Sequence, residues 1–297
     1  MSYDLIIVLT GILVAGACAL PGCFLVLRRM AMMADAISHA ILPGLVAGYF
    51  LARGPNLLAG FAGAALAALI TVSLVEALQN TRRVGSESAI GIVFPAMFAL
   101  GTVVVSRWFA DVHLDADAIL YGNIEFAPLD RLVIGELDLG PLPLWVMGGL
   151  FVFNLAFVTL CYKELKLATF DPGLAATLGF APALLHYALM ASVSLTAVGA
   201  FTAVGAVLAV ALLIIPAATA YLLTDRLPLM MVLAVLAGAL AAGLGYALAL
   251  ALDASVAGSI ATVAGLLFGL ALLRSVLQRR SGAARVRRLA EAPVGNA

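Results

Sequence analysis

The sequence predicts an all-α, polytopic integral membrane protein of about eight to nine transmembrane helices. Three observations lead there. The 297-residue chain is 64% hydrophobic and only 11% charged, with a mean hydropathy of +1.15; a soluble domain is nearer half apolar and a quarter charged. Its apolar residues gather in runs of about 20, the length that crosses a bilayer as a helix. Its basic residues fall between those runs at regular intervals. Such a chain has too little polar surface to coat a globule. In a bilayer, helices satisfy each backbone group within their own segment.

Taken in order, span-length runs lie near 5–27, 57–79, 88–109, 142–162, 228–252 and 255–277, with a shorter one at 36–52. The apolar stretch 183–224 holds two helices if the chain breaks near Gly199–Gly205. That gives nine crossings, or eight if one segment is re-entrant. Two spans separate each basic cluster from the next: Arg28/Arg29, Arg82/Arg83, Lys163/Lys166, Arg226, and the tail Arg279, Arg280, Arg285, Arg287 and Arg288. All therefore face the cytoplasm, with the N-terminus outside. The outer loop 110–141 is acidic, with Asp111, Asp115, Asp117, Glu125, Asp130, Glu136 and Asp138 against Arg131. The opening MSYD carries no basic residue, so the first run reads as a span rather than a cleaved signal. Residues 1–278 form the membrane domain, with a cytoplasmic loop at about 163–182; residues 279–297 read as a disordered basic cytoplasmic tail. Cys18, Cys23 and Cys161 have no CxxC spacing and read as small buried side chains. Net charge is zero; membrane lipid is an expected partner and nucleic acid is not.

The stretch MADAISHAILPG, residues 33–44, places Asp35 and His39 four positions apart at the start of an apolar run. On a helix these two share a face, and an ionisable residue within a span points to function. A carboxylate oxygen with an imidazole nitrogen suits Mn²⁺, Fe²⁺ or Zn²⁺. A two-fold dimer with this face at its axis supplies two of each, which makes four ligands. Gly44 and Gly48 follow as a small-xxx-small face, which fits a helix near a subunit interface. The alternative is an Asp35 that caps a helix beginning at Ala36, with His39 a satisfied buried histidine. His113, with Asp115 and Asp117, reads either as a metal-collecting site at an entrance or as a solvated loop. His186 reads as structural.

Farther on, Asp171-Pro172 fits a helix start, with the aspartate as cap and the proline at the first helical position. Ala175, Ala176, Leu178 and Gly179 then give a short helix with a small face. No G-x-x-x-x-G-K-[ST] loop is present, and Lys163 and Lys166, the only lysines, do not follow a glycine. GxSxG, HExxH and GxGxxG contexts are also missing, so the chain does not read as an enzyme. If ATP powers it, the motor is a separate chain.

Three blocks carry a family resemblance: LVLRRMAMMADAISHAILPGLVAG, YKELKLATFDPGLAATLG and ALLIIPAATAYLLTDRL. They resemble the permease subunits of ABC-type manganese, zinc and iron importers, the ABC-3 family. One departure is Ala34, where many relatives are expected to carry glycine before the aspartate. The resemblance implies a bacterial cytoplasmic (inner) membrane permease with no permanently bound cofactor, whose cargo is Mn, Zn or Fe. Its implied partners are a cytoplasmic ATP-binding-cassette ATPase, an extracytoplasmic metal-binding protein, and a second permease copy or paralogue. The family's metal pair falls on Asp35 and His39. Its coupling segment falls on D-P-x-x-A-x-x-L-G, hence on Asp171, Ala175, Ala176 and Gly179. Two rivals are a permease for iron chelates, whose bulky ligands need no bare Asp/His pair, and a secondary metal/proton transporter, for which more acidic residues within spans and an internal repeat are expected.

The missing phosphate loop sets a first prediction. The chain purified free of other subunits hydrolyses no ATP above background in a phosphate-release assay; robust turnover would contradict the permease assignment.

Overall fold

The computed structural model describes residues 2–52, 57–108, 124–134 and 137–290. Among them, nine helical segments are long and apolar enough to cross a membrane, as the sequence count of nine requires. The helices are α1 (Tyr3–Leu27), α2 (Ala31–Ala40), α3 (Leu42–Leu51), α4 (Leu57–Asn80), α5 (Ser86–Trp108), α6 (Leu142–Leu160), α7 (Tyr162–Phe170), α8 (Pro172–Thr177), α9 (Pro182–Val204), α10 (Ala206–Leu223), α11 (Leu227–Leu252) and α12 (Val256–Ala290). Helices α2 and α3 together make one span, Ala31–Leu51.

Helix α1 is the hub. It packs against α6, α9, α10 and α11, and an unbroken stretch from Val14 to Leu25 is buried. A helix that is apolar on all sides belongs inside a bundle. Close approach follows from glycine: a Cβ on Gly22 would lie 2.0 Å from the Leu213 carbonyl oxygen of α10. Asn154 of α6 ties the hub to its neighbours at mid-height. Its amide nitrogen donates to the Ala17 carbonyl at 2.9 Å and to Thr196 Oγ1 at 2.7 Å, and its Oδ1 accepts from Ser192 at 2.7 Å.

The predicted break in 183–224 is Gly205, whose φ of +81 and ψ of +169 suit a residue without a Cβ. Thr196 of α9 lies level with Ala17, and Ala217 of α10 lies beside Gly22. Helix α9 begins beside Arg28, so the chain runs away from that end, turns at Gly205 and returns. The same end gathers the basic clusters. Arg28 reaches Thr169 on the helix of Lys163 and Lys166; Glu76, shortly before Arg82, meets His186; Met230, just past Arg226, packs with Val26. The opposite end holds the Tyr246–Asp4 hydrogen bond and Glu125 Oε1, which accepts from the Val256 backbone N–H at 3.1 Å. One cationic end is what the positive-inside count demands.

Two expectations change, the start of the second span and the use of the Gly44/Gly48 face. The second span starts at Ala31, not 36, because Arg29 takes a left-handed turn (φ +57) directly after α1 and the good helix formers of AMMA then extend α2. The outer loop holds a hairpin: β1 (Arg131–Ile134) pairs antiparallel with β2 (Leu137–Pro141), and Arg131 bridges to Asp138 at 2.8 Å across it. Helix α12 runs from Val256 to Ala290, and its AARVRRLA segment is rich in helix-favouring Ala, Arg and Leu. The Gly44/Gly48 face is occupied within the chain. A Cβ on Gly44 would sit 2.1 Å from the Gly63 oxygen, and one on Gly48 2.2 Å from the Ala59 oxygen, so α3 spends this face on α4.

Gly44→Val should therefore lower thermal stability in detergent by about 1–3 kcal/mol or more, the usual range for overpacking. Gly149→Ala, where nothing lies within 4 Å of the added Cβ, is the neutral control in the same melting assay.

Candidate metal site

Asp35 and His39 are the fifth and ninth residues of α2, counting from Ala31. The helix begins at Ala31 with Met30 at its N-cap, so Asp35 is an interior helical residue and the capping alternative does not hold. Met33, Ala34, Ala36, Ile37, Ser38 and Ala40 are buried, in a helix that packs against α4, α5, α9 and α10. Asp35 and His39 share the remaining face. Their side chains stay 48% and 34% exposed, and His39 Nε2 lies 3.6 Å from Asp35 Oδ1. Both donor atoms thus converge on one accessible spot instead of being used up inside the bundle.

Two phenylalanines of α5 set the ring's attitude. Phe94 lies tilted against His39 with centroids 5.3 Å apart, and Phe98 stands edge-on at 6.1 Å. They are the ninth and thirteenth residues of the 23-residue α5, so His39 is level with the middle of that span. The sequence alone left this depth open. An apolar wall there narrows the ring's freedom and dries one side of the pair. Pro43 adds a further local effect: it has no N–H to give to the His39 carbonyl, and α2 passes to α3 at Ile41. Among the described residues, no third His, Cys, Asp or Glu joins the pair. One chain therefore offers two side-chain ligands, fewer than a transition-metal site uses.

The second predicted element, α8, lies at the cationic end. Asp171 Oδ1 accepts from the Leu174 N–H at 2.9 Å, and Pro172 occupies the first turn. Gly179, at φ +87, closes the helix, with Phe180 N–H donating to the Ala175 carbonyl at 3.1 Å. The face differs in composition from the expectation. Ala175 is buried, whereas Ala176 is exposed among the exposed Phe170, Leu174 and Leu178. The outward surface is apolar and not merely small; Phe170 and Leu174 belong to it. Cys18 and Cys23 are buried, Cys161 is half-buried, and all three are free. His113, Asp115 and Asp117 lie outside the described residues.

Nine apolar helical segments among the described residues and one cationic end define a multi-pass membrane protein. The chain belongs to the ABC 3 transport family, which it matches over residues 3–275. It is 43% identical over 275 residues, 93% of either chain, to the manganese transport system membrane protein MntD of Bacillus subtilis. It is 50% identical over 269 residues to the zinc transport system membrane protein TroD of Treponema pallidum, spanning 91% of this chain and 73% of that one. Its structure resembles PsaBC from Streptococcus pneumoniae in complex with Fab, with a TM-score of 0.75, 30% identity and 91% of each chain covered.

Asp35→Asn and His39→Ala should each leave expression and melting temperature near wild type and lower metal uptake by at least about tenfold. Loss of a mere supporting contact at a metal site already costs about 10–100-fold. Uptake at the wild-type rate by a well-expressed Asp35→Asn protein would remove the site from Asp35.

Proposed function

We propose that this chain is the membrane permease of an ATP-driven importer of divalent transition-metal ions, Mn²⁺, Zn²⁺ or Fe²⁺, in the bacterial cytoplasmic membrane. The observation that carries this is the Asp35–His39 pair, half-exposed and converging at mid-span. A charged group at that depth is costly and is retained for a task. A hard oxygen beside an imidazole nitrogen fits these cations better than alkali ions. Two copies related by a two-fold axis bring two aspartates and two histidines together, a four-ligand set that neither copy has alone. Relatives named for manganese and for zinc transport support the cargo class. The donor set does not itself choose between them. Affinity at such a site follows Zn²⁺ above Mn²⁺, so selection falls to an extracytoplasmic binding protein that delivers the ion.

Energy comes from a separate ATPase, since this sequence has no phosphate loop. Asp171, Ala175, Ala176 and Gly179 build the docking helix: Asp171 caps it, Ala175 seats it on its own bundle, Ala176 faces outward and Gly179 ends it. The exposed Phe170, Leu174 and Leu178 supply the apolar surface that a partner groove covers. The cargo assignment is tested by uptake in cells lacking this gene, with Mn²⁺, Zn²⁺ and Fe²⁺ supplied separately; rescue by the cloned gene for none of the three rejects it.

Ala176→Arg tests docking. It places bulk and an unpaired charge in a covered apolar contact, at a cost of several kcal/mol. The ATPase should fail to co-purify and uptake should be lost, while metal binding at Asp35 and His39 persists. Wild-type stoichiometry with intact transport would move the docking role to another cytoplasmic segment, such as the turn at Arg82 and Arg83.

A further inference from the structure

Arg28, the residue that ends α1, is held on two sides at the cationic end. Its Nε donates to Thr169 Oγ1 at 3.1 Å, and its Nη1 lies 3.2 Å from His186 Nδ1. The Thr169 hydroxyl has its own proton committed to the Leu165 carbonyl at 2.6 Å, so its lone pairs are free for the guanidinium. A guanidinium only donates; His186 Nδ1 therefore accepts, and the neutral ring carries its proton on Nε2. That nitrogen lies 2.7 Å from Glu76 Oε1, an ion-pair approach whose angle does not make a hydrogen bond. Four side chains thus form one polar line, Thr169–Arg28–His186–Glu76.

The line's placement is specific. Thr169 precedes the α8 cap Asp171 by two residues, and His186 lies in the first turns of α9, after α8. The segment that carries α8 is thus gripped on both sides by one arginine. Arg28 is three residues before α2, which bears Asp35 and His39, and Glu76 is on α4, which packs against both α2 and α3. The arrangement also leaves capacity unused. Arg28 Nη2, His186 Nε2 and Glu164 Oε2, the last on the same helix as Thr169, are buried without a hydrogen-bond partner. Such groups are costly to leave open.

We propose that Arg28 and His186 are positioning residues of the transport step, forming with Thr169 and Glu76 a polar strut that carries movement of the α7–α8 segment to the helices around the Asp35–His39 pair. This rests on α8 being the ATPase-docking helix.

The test uses the full transporter, permease with its ATPase, reconstituted in liposomes and supplied with Mn²⁺, and reads metal moved per ATP hydrolysed. Thr169→Val removes one acceptor at constant shape on α7, outside the spans. His186→Leu removes both ring nitrogens. Each should keep the ATPase bound at wild-type stoichiometry and hydrolysing, yet lower the transport-to-hydrolysis ratio by about tenfold, the order expected for losing a hydrogen bond to a charged group. His186→Gln, whose amide sets an acceptor beside a donor much as the ring does, should restore the ratio. A wild-type ratio in Thr169→Val and His186→Leu overturns the strut. So does loss of the ATPase from either variant, which would make these residues part of docking itself. If His186→Leu does not accumulate in the membrane, Thr169→Val decides alone. Failure of the docking premise shows separately, as an Ala176→Arg protein that keeps its ATPase and transports normally.

Discussion

A polar group surrounded by hydrocarbon must find its partner within the protein, and most of this architecture follows from that constraint. The hydroxyls of Thr10, Ser38, Thr71 and Ser194 turn back onto the carbonyl four residues earlier in their own helices. Asn154, which has no such local solution, uses its whole amide to hold α1, α6 and α9 together. Against this background of satisfied groups, Asp35 and His39 stand out. Their one mutual contact, at 3.6 Å, is too long to settle either of them. Both therefore stay half-exposed in mid-span, with neither side chain committed to a strong partner.

The helical frame was legible because its signals are local. Run length marks the spans, glycine marks the reversal at Gly205, and the Asp-Pro pair marks the start of α8. Asp35 and His39 were legible as a pair because four residues on a helix is a fixed geometry. What surrounds them was not. Phe94 and Phe98 come from α5, and only packing brings them to the His39 ring. The role of Gly44 and Gly48 was misread for a similar reason: a small face states that something comes close, but not whether it is a second subunit or α4. The partners of His186, Arg28 and Glu76, were not legible because they lie 158 and 110 residues away in the chain. No spacing rule joins positions so far apart. The start of α2 at Ala31 was missed because apolar content, not backbone geometry, set the expected boundary.

The two regions that bear on function are physically continuous. The short segment Arg28–Met30 lies between the hub helix and the ligand-bearing helix. The cationic end gathers α1, α4, α7 and α9 in the space of four side chains. The outer end is held more simply, by the Tyr246–Asp4 and Glu125–Val256 contacts. Polar cross-links thus concentrate at the cationic end.

The backbone contact between α3 and α4 has a mechanical corollary. At Gly44 and Gly48 the two helices meet backbone to backbone, with only the small Ala67 methyl beside Gly44. Side chains lend packed helices some slack, because rotamers yield; bare backbones have none to lend. Helices α3 and α4 therefore behave as one stiff slab. Any tilt of α2 must be taken up at Ile41–Pro43, where the proline has already removed a rung of the ladder. That joint is a fulcrum, with α2 as the short arm of a lever and the histidine near its inner tip. A few degrees of rotation there displace the imidazole by a fraction of an ångström, while the slab, and the membrane seal it contributes, stays still.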